Sequence, residues 1–170
     1  MHLFLNREEV FTNNPGTNRH FSNQIKTQRM NTPIIVQYKI NAPVEIIWKV
    51  LTDKNEMKSW YFDIPDFELE VGKEFNFYEP GEEKKYHHQG ELLEIIPNQR
   101  LQYSWSYPDF SKEKTFVTWE LHPEEGVTFI TLIHEDIDNF KDLGEGFSRK
   151  NFTEGWNAII GQSLKMYAEN

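Results

Sequence analysis

Acid–base chemistry in this chain would have to start from a histidine. His134 is followed at once by Glu135 and Asp136, an imidazole that titrates near neutral pH beside carboxylates able to orient it. The more economical reading is a histidine at a strand end next to two solvated acids. His87 and His88 are adjacent in a strand-like run, so their rings point to opposite faces and do not share a metal ion. Ser104, Ser148 and Ser163 lack the setting of a nucleophilic serine. Gly144-Glu145-Gly146 lacks the preceding strand and the third glycine of a phosphate-binding loop. Glu68, Glu70, Glu91 and Glu94 alternate along strand-like segments, as on a solvent face. With no catalytic constellation, metal set or cofactor motif, the chain is read as a non-enzyme.

The elements that would position such residues follow from periodicity. Ile34, Val36, Tyr38 and Ile40 alternate with Ile35, Gln37 and Lys39, a strand. Pro43 at a first helical position, with Glu45 near the positive helix end, opens a short helix whose stripe is Val44, Ile47, Trp48 and Leu51. Thr52-Asp53 ends it and starts a second turn from Asn55 to Trp60. The run Trp60-Tyr61-Phe62-Asp63-Ile64-Pro65 is too apolar for an exposed loop and is expected to fold inward or line an opening.

Strands are expected at 67–71 and 74–78 around Gly72, with Phe75 and Phe77 on one face, followed by a charged turn at Pro80-Gly81-Glu82-Glu83. A longer strand over 86–96 contains Gly90, which marks a bulge or bend. Leu101, Tyr103, Trp105 and Tyr107 alternate with Gln102, Ser104 and Ser106, and strands at 115–121 and 127–134 flank Glu124-Glu125-Gly126. After a loop-like stretch, an amphipathic helix over 151–167 carries Phe152, Trp156, Ile159, Ile160, Leu164 and Tyr167, with Asn151 and Glu154 as its capping pair. The order is one strand, two short helices, about six antiparallel strands and a long helix: an α+β fold in which a curved sheet closes on the terminal helix.

Composition bounds the function classes. A chain of 170 residues makes one domain with a sizeable core. The net charge of −9 repels nucleic-acid phosphates, so no nucleic-acid partner is expected. Residues 1–30 differ, with Arg7, Arg19, Lys26 and Arg29 against Glu8 and Glu9. Residues 1–31 read as an N-terminal extension, partly disordered, and 32–170 as the folded domain. There is no cysteine, which excludes disulfides and thiolate chemistry. No apolar run approaches the ~18 residues of a membrane-spanning helix, and the acidic pair Glu8-Glu9 directly after a short apolar start is unlike a secretory signal. The expected location is the cytoplasm.

The residues also carry a family likeness. Ala42-Pro43 with Glu45 and Trp48, Leu51-Thr52-Asp53, Trp60, Gly90, Glu94, Pro97, Arg100-Leu101 and Tyr103-Ser104-Trp105 are part of it. Thr118-Trp119-Glu120-Leu121, Gly126-Val127-Thr128, Leu132 with His134, and Gly155-Trp156 complete it. In this order they resemble the family related to the C-terminal domain of the activator of the heat-shock protein 90 ATPase, over roughly 33–168. Val71-Gly72 stands where a Gly-Gly turn is commoner.

The resemblance implies the helix-grip fold of START-like (SRPBCC) proteins, a bent antiparallel sheet wrapped around a long C-terminal helix with a cavity between. It makes Trp48, Trp60, Phe62, Phe75, Phe77, Trp105, Trp119, Phe152 and Trp156 candidates to line that cavity. Tyr103, Arg100, Gln89 and His134 are candidate polar suppliers. The implied partner is a small hydrophobic molecule with no cofactor. The alternatives are a co-chaperone acting on heat-shock protein 90, whose eukaryotic members carry a further N-terminal domain, and a cyclase- or hydrolase-like enzyme using the same cavity.

Overall fold

Antiparallel pairing between neighbours in sequence builds most of the molecule. A computed structural model describes residues 31–79 and 86–170; the expected extension up to residue 30 and the turn at 80–83 lie outside them. Six strands, β1 (Ile34–Ile40), β2 (Glu74–Tyr78), β3 (His87–Ile96), β4 (Arg100–Ser106), β5 (Lys114–Glu124) and β6 (Val127–Glu135), form one sheet in the order β1-β6-β5-β4-β3-β2. Two short helices, α1 (Val44–Thr52) and α2 (Lys54–Trp60), follow β1, and a long C-terminal helix closes the bent sheet. Tight turns set the register. Glu125 and Gly126 both adopt positive φ, 45° and 85°, the two-residue geometry that matches strand twist and pairs Glu124 with Val127.

The helices depart from expectation at their ends. Pro43 is extended and caps α1 from outside it, while Asp53 ends α1 and accepts from the Asn55 and Glu56 amides to start α2. The buried stripe of α1 is Val44, Ile47, Val50 and Leu51, so Trp48 sits at its half-exposed margin. The C-terminal helix begins earlier than Asn151. Ser148 accepts from the Asn151 amide, and α3 (Arg149–Ala158) runs into a π-helical segment (Ile159–Leu164) and a last turn, α4 (Lys165–Ala168). Asn151 and Glu154 are therefore not the cap. In a regular α-helix, residues four apart drift by about 40° around the axis. The wider π turns offset that drift, so Trp156, Ile160 and Leu164 all stay buried against the sheet.

The strand expected over 67–71 is absent. The Glu70 amide bonds to the Glu68 carbonyl and the Lys73 amide to the Glu70 carbonyl, so the stretch turns instead of pairing. Leu69 and Val71, 42% and 57% exposed, have no face to bury.

Gly90 marks a bend rather than the bulge itself; the register between β3 and β4 slips between Leu92 and Glu94. At the bend the Glu91 amide donates to Ser104 Oγ, and Ser106 Oγ donates to the Gln89 carbonyl. Both serines are buried for that purpose. Phe75 lies on Gly90: a Cβ there would stand 2.3 Å from Phe75 Cζ and 2.7 Å from the Ser104 carbonyl oxygen. Gly90→Ala is expected to lower stability by about 1–3 kcal/mol. In urea denaturation this appears as a lower midpoint at unchanged slope; an unchanged midpoint would show that the bend does not depend on this contact.

Candidate functional site

Two voids of unequal size lie between the sheet and the helices. The first is lined by Trp60 at the end of α2 and Tyr61 just after it, Phe75 on β2, Tyr103 and Trp105 on β4, and Trp119 on β5, with further apolar neighbours. Its cavity volume is about 20 Å³, room for about one water molecule. The second has about 240 Å³, between Phe62, His88, Trp105 and Tyr107 on one side and Asn151, Phe152, Gly155, Trp156 and Ile159 of the C-terminal helix on the other. Trp105 is common to both walls.

Alternation on the strands makes this arrangement. Tyr103 and Trp105 share one face of β4, Tyr107 follows directly after the strand, and all three are buried. His88 and Gly90 share the inward face of β3, while His87 and Gln89 face outward and meet Asn76 Oδ1. The helix contributes Phe152 and Trp156 one turn apart, and Gly155 leaves open space where a side chain would stand.

His134 is fully buried and its polar contacts run in one direction. The Trp156 indole can only donate, and its Nε1 lies 3.0 Å from His134 Nδ1. The imidazole proton therefore sits on Nε2, which donates to Thr115 Oγ1 at 2.8 Å. Thr115 Oγ1 in turn donates to the Trp105 carbonyl at 3.2 Å. Burial, with the Arg149 charge adding to it, pushes His134 down to about 3, so the ring is neutral. Neither Glu135 nor Asp136 takes part. The proton-transfer role considered for this triplet has no geometry behind it, because the histidine faces the core and Glu135, next along the strand, faces solvent.

Three of the four buried tryptophans have their indole N–H bonded: Trp60 to the Val50 carbonyl, Trp119 to Tyr103 Oη and Trp156 to His134. Trp105 Nε1 has no hydrogen bond. Its neighbour is the Tyr107 phenol, which burial pushes upward against the opposing influence of that N–H, but the pair falls short of hydrogen-bonding geometry. His88 is driven down to about 4, mainly by burial and against the pull of Glu79.

Of the residues singled out in the sequence, Trp60, Phe75, Tyr103, Trp105 and Trp119 meet at the first void, and Phe62, Trp105, Phe152 and Trp156 at the second. Phe77 stands behind the second, stacked on Phe62 and His88 at 4.7 and 4.6 Å. His134 stands behind Phe152 and Trp156. Trp48 lines neither. Arg100 pairs with Glu94 and Glu120 on the outer face of the sheet, and Gln89 is outward as well, so neither supplies the interior. Sequence reasoning did not place His88, Tyr107 and Gly155 at a cavity, although Tyr107 belongs to the same alternation as Tyr103 and Trp105. Among the described residues no group of three or more His, Asp or Glu side chains is placed to hold a metal, and no helix is long and apolar enough to cross a membrane.

Two buried neutral histidines give stability a defined pH dependence. Both have folded values below the ordinary 6.5, so as pH falls through 6.5 the unfolded chain takes up protons that the folded chain refuses. Stability is complete above that pH and declines toward pH 4, by about 1.4 kcal/mol per pH unit for each histidine. His134→Gln is expected to reduce the slope of stability between pH 6 and 4.5, measured by urea titration at each pH. A slope equal to that of the parent would mean that His134 is not held neutral.

Comparison with known proteins agrees with this architecture. CalU16 from Micromonospora echinospora superposes with a TM-score of 0.62 at 24% identity, covering 80% of this chain and 75% of that one. CV1439 from Chromobacterium violaceum gives 0.67 at 17%, covering 82% and 99%. The Aha1 dimer from Colwellia psychrerythraea gives 0.61 at 20%, covering 81% and 96%. At these identities the likeness concerns the fold. No curated protein matches the chain in sequence. The sequence model described as Activator of Hsp90 ATPase homolog 1-like protein matches residues 41–169. That span runs from the residues just before α1 to the end of the C-terminal helix, and it makes this START-like chain a member of the Activator of Hsp90 ATPase homolog 1-like family.

Proposed function

We propose that the protein binds a small hydrophobic molecule in the void between Trp105 and the C-terminal helix, without transforming it. The observation that supports this is a cavity of about 240 Å³ whose wall is mostly aromatic and contains no charged side chain. Binding cavities are typically concave and apolar with a few placed polar groups. The non-enzymatic part of the reading is supported by His134, whose two ring nitrogens are both engaged by Trp156 and Thr115. A co-chaperone role toward heat-shock protein 90 has family membership as its support and no feature of the site.

Gly155 offers a test that spares the core, since a Cβ there meets nothing within 4 Å and the residue is interior to a helix, where replacing glycine is favourable. Native mass spectra of the purified chain are expected to show a small-molecule adduct that is lost on denaturation, or saturable binding of added naphthalene. Gly155→Leu, folded but with the void filled, is expected to lose at least tenfold in affinity. A parent chain that is bare and does not bind naphthalene defeats the reading, and undiminished binding by folded Gly155→Leu places the ligand elsewhere.

A further inference from the structure

One ring in the wall of the larger void is not fixed by secondary structure. Phe62 lies between α2 and β2, next to Tyr61 and two positions before Ile64, which both line the smaller void. The amides of Phe62, Asp63, Ile64 and Asp66 have no backbone partner among the described residues, and Pro65 has no amide hydrogen to give. The backbone is anchored on either side of this stretch. The Tyr61 amide donates to the Met57 carbonyl, and the Gly72 amide to the Leu92 carbonyl. Local opening costs least where few backbone bonds have to break.

Side-chain contacts hold the stretch down. Phe62, half-buried, stacks on Phe77 with centroids 4.7 Å apart and planes 29° apart. It meets Tyr61 edge-on at 4.3 Å and lies near-parallel to the His88 ring at 6.1 Å. At the outer end, the Asp66 carboxylate accepts from the amide and from Nδ2 of Asn76 on β2, both at 3.0 Å. Lys54 Nζ donates to the Pro65 carbonyl at 3.3 Å, and Lys58 pairs with Asp63 at 3.2 Å. All of these polar contacts are exposed, so water replaces them at small net cost when they break. Ring stacking is similarly replaceable, by the ring of a ligand.

We infer that residues 61–66 form a displaceable cover, and that Phe62 holds the place of a ligand ring against Phe77 and His88. The inference rests on the ligand-binding reading above and extends its ligand class. A flat aromatic molecule that displaces Phe62 regains the contacts that Phe62 gives up, so its binding shifts the chain toward the open arrangement. A cavity of about 150 Å³ accepts benzene, so the resting void of about 240 Å³ suits about two fused rings. With the cover displaced, the class extends to uncharged flat molecules with a further ring.

The test uses two uncharged probes on the full chain: naphthalene, which fits the resting void, and N-phenyl-1-naphthylamine, which exceeds it by a ring and fluoresces when buried. Both are expected to bind. In stopped-flow mixing, the observed rate for N-phenyl-1-naphthylamine should level off with concentration at the rate of cover opening. Asp66 lines neither void; Asp66→Ala should raise that plateau at least threefold while changing naphthalene affinity less than twofold. The chain has no cysteine, so Asp66→Cys with Asn76→Cys allows one disulfide that fastens the cover. The oxidised form should keep naphthalene and lose at least tenfold in affinity for N-phenyl-1-naphthylamine, with recovery on reduction. A parent that binds naphthalene alone, a rate without a plateau, a plateau unmoved by Asp66→Ala, or a fastened form of undiminished affinity overturns the inference and leaves the ligand-binding reading standing. Failure of both probes overturns both. If the double-cysteine variant does not fold or oxidise, the kinetics of the parent and Asp66→Ala decide the matter.

Discussion

The C-terminal helix is seated on the sheet by a directed chain of polar contacts, and the geometry of the interior depends on it. Trp156 donates to His134, His134 to Thr115, and Thr115 to the backbone of β4. Each link is fixed by the one before, because the indole cannot accept and the neutral imidazole has one proton to give. Neutral hydrogen bonds contribute about 0.5–1.5 kcal/mol each on balance, but breaking one in a dry interior leaves its partner unpaired at greater cost. The chain therefore acts mainly as a register pin. It sets which turn of the helix faces β5 and β6, and so where Phe152 and Gly155 stand relative to β4.

Around that pin the voids take their shape from places where side chains are small or missing. Gly90 lets Phe75 lie directly on the backbone of β3, which fills the β2 side of the sheet and leaves the first void with about 20 Å³. Gly161 does the same for Tyr38 on the helix: a Cβ there would stand 2.5 Å from Tyr38 Cζ, and the phenol donates to Asn157 Oδ1. Gly155, by contrast, is covered by nothing. A glycine that receives an aromatic ring makes a tight contact, and one that receives none leaves a gap. Trp105 separates the filled side from the open one.

Much of this was legible in the sequence, because hydrophobic alternation reports which face of a strand is buried. Tyr103, Trp105, Val117, Trp119 and Leu121 point inward as their spacing requires, and the terminal helix carries its stripe where expected. Segment 67–71 misled because alternating Leu69 and Val71 look like a strand face, yet at the sheet's edge there was no partner ladder to pair with. The site was less legible than the fold. Ser104 and Ser106 read as solvent positions but are buried to satisfy a distorted ladder, and nothing local announces a distortion set by a glycine on the neighbouring strand. His134 was weighed for acid–base chemistry only because its acidic neighbours are adjacent in sequence. What determines its behaviour is a tryptophan 22 positions away.

Every neighbouring pair in the sheet is also adjacent in sequence except one. β1 lies against β6, with Ile34 opposite His134, and the Ala42 carbonyl just beyond β1 accepts from Thr128. The meander from β2 to β6 closes only short loops, so its entropic cost comes in small steps, whereas joining β1 to β6 closes a far longer one, with Ala42 and Thr128 86 positions apart. On loop-closure grounds the meander is expected to assemble first and the β1 seam to follow. The Asn41 amide and Tyr38 are also tied to the C-terminal helix, through Glu169 and Asn157. The strand whose pairing spans the most sequence thus also secures the helix that covers the cavity, so the position of that helix depends on contacts from the opposite end of the domain.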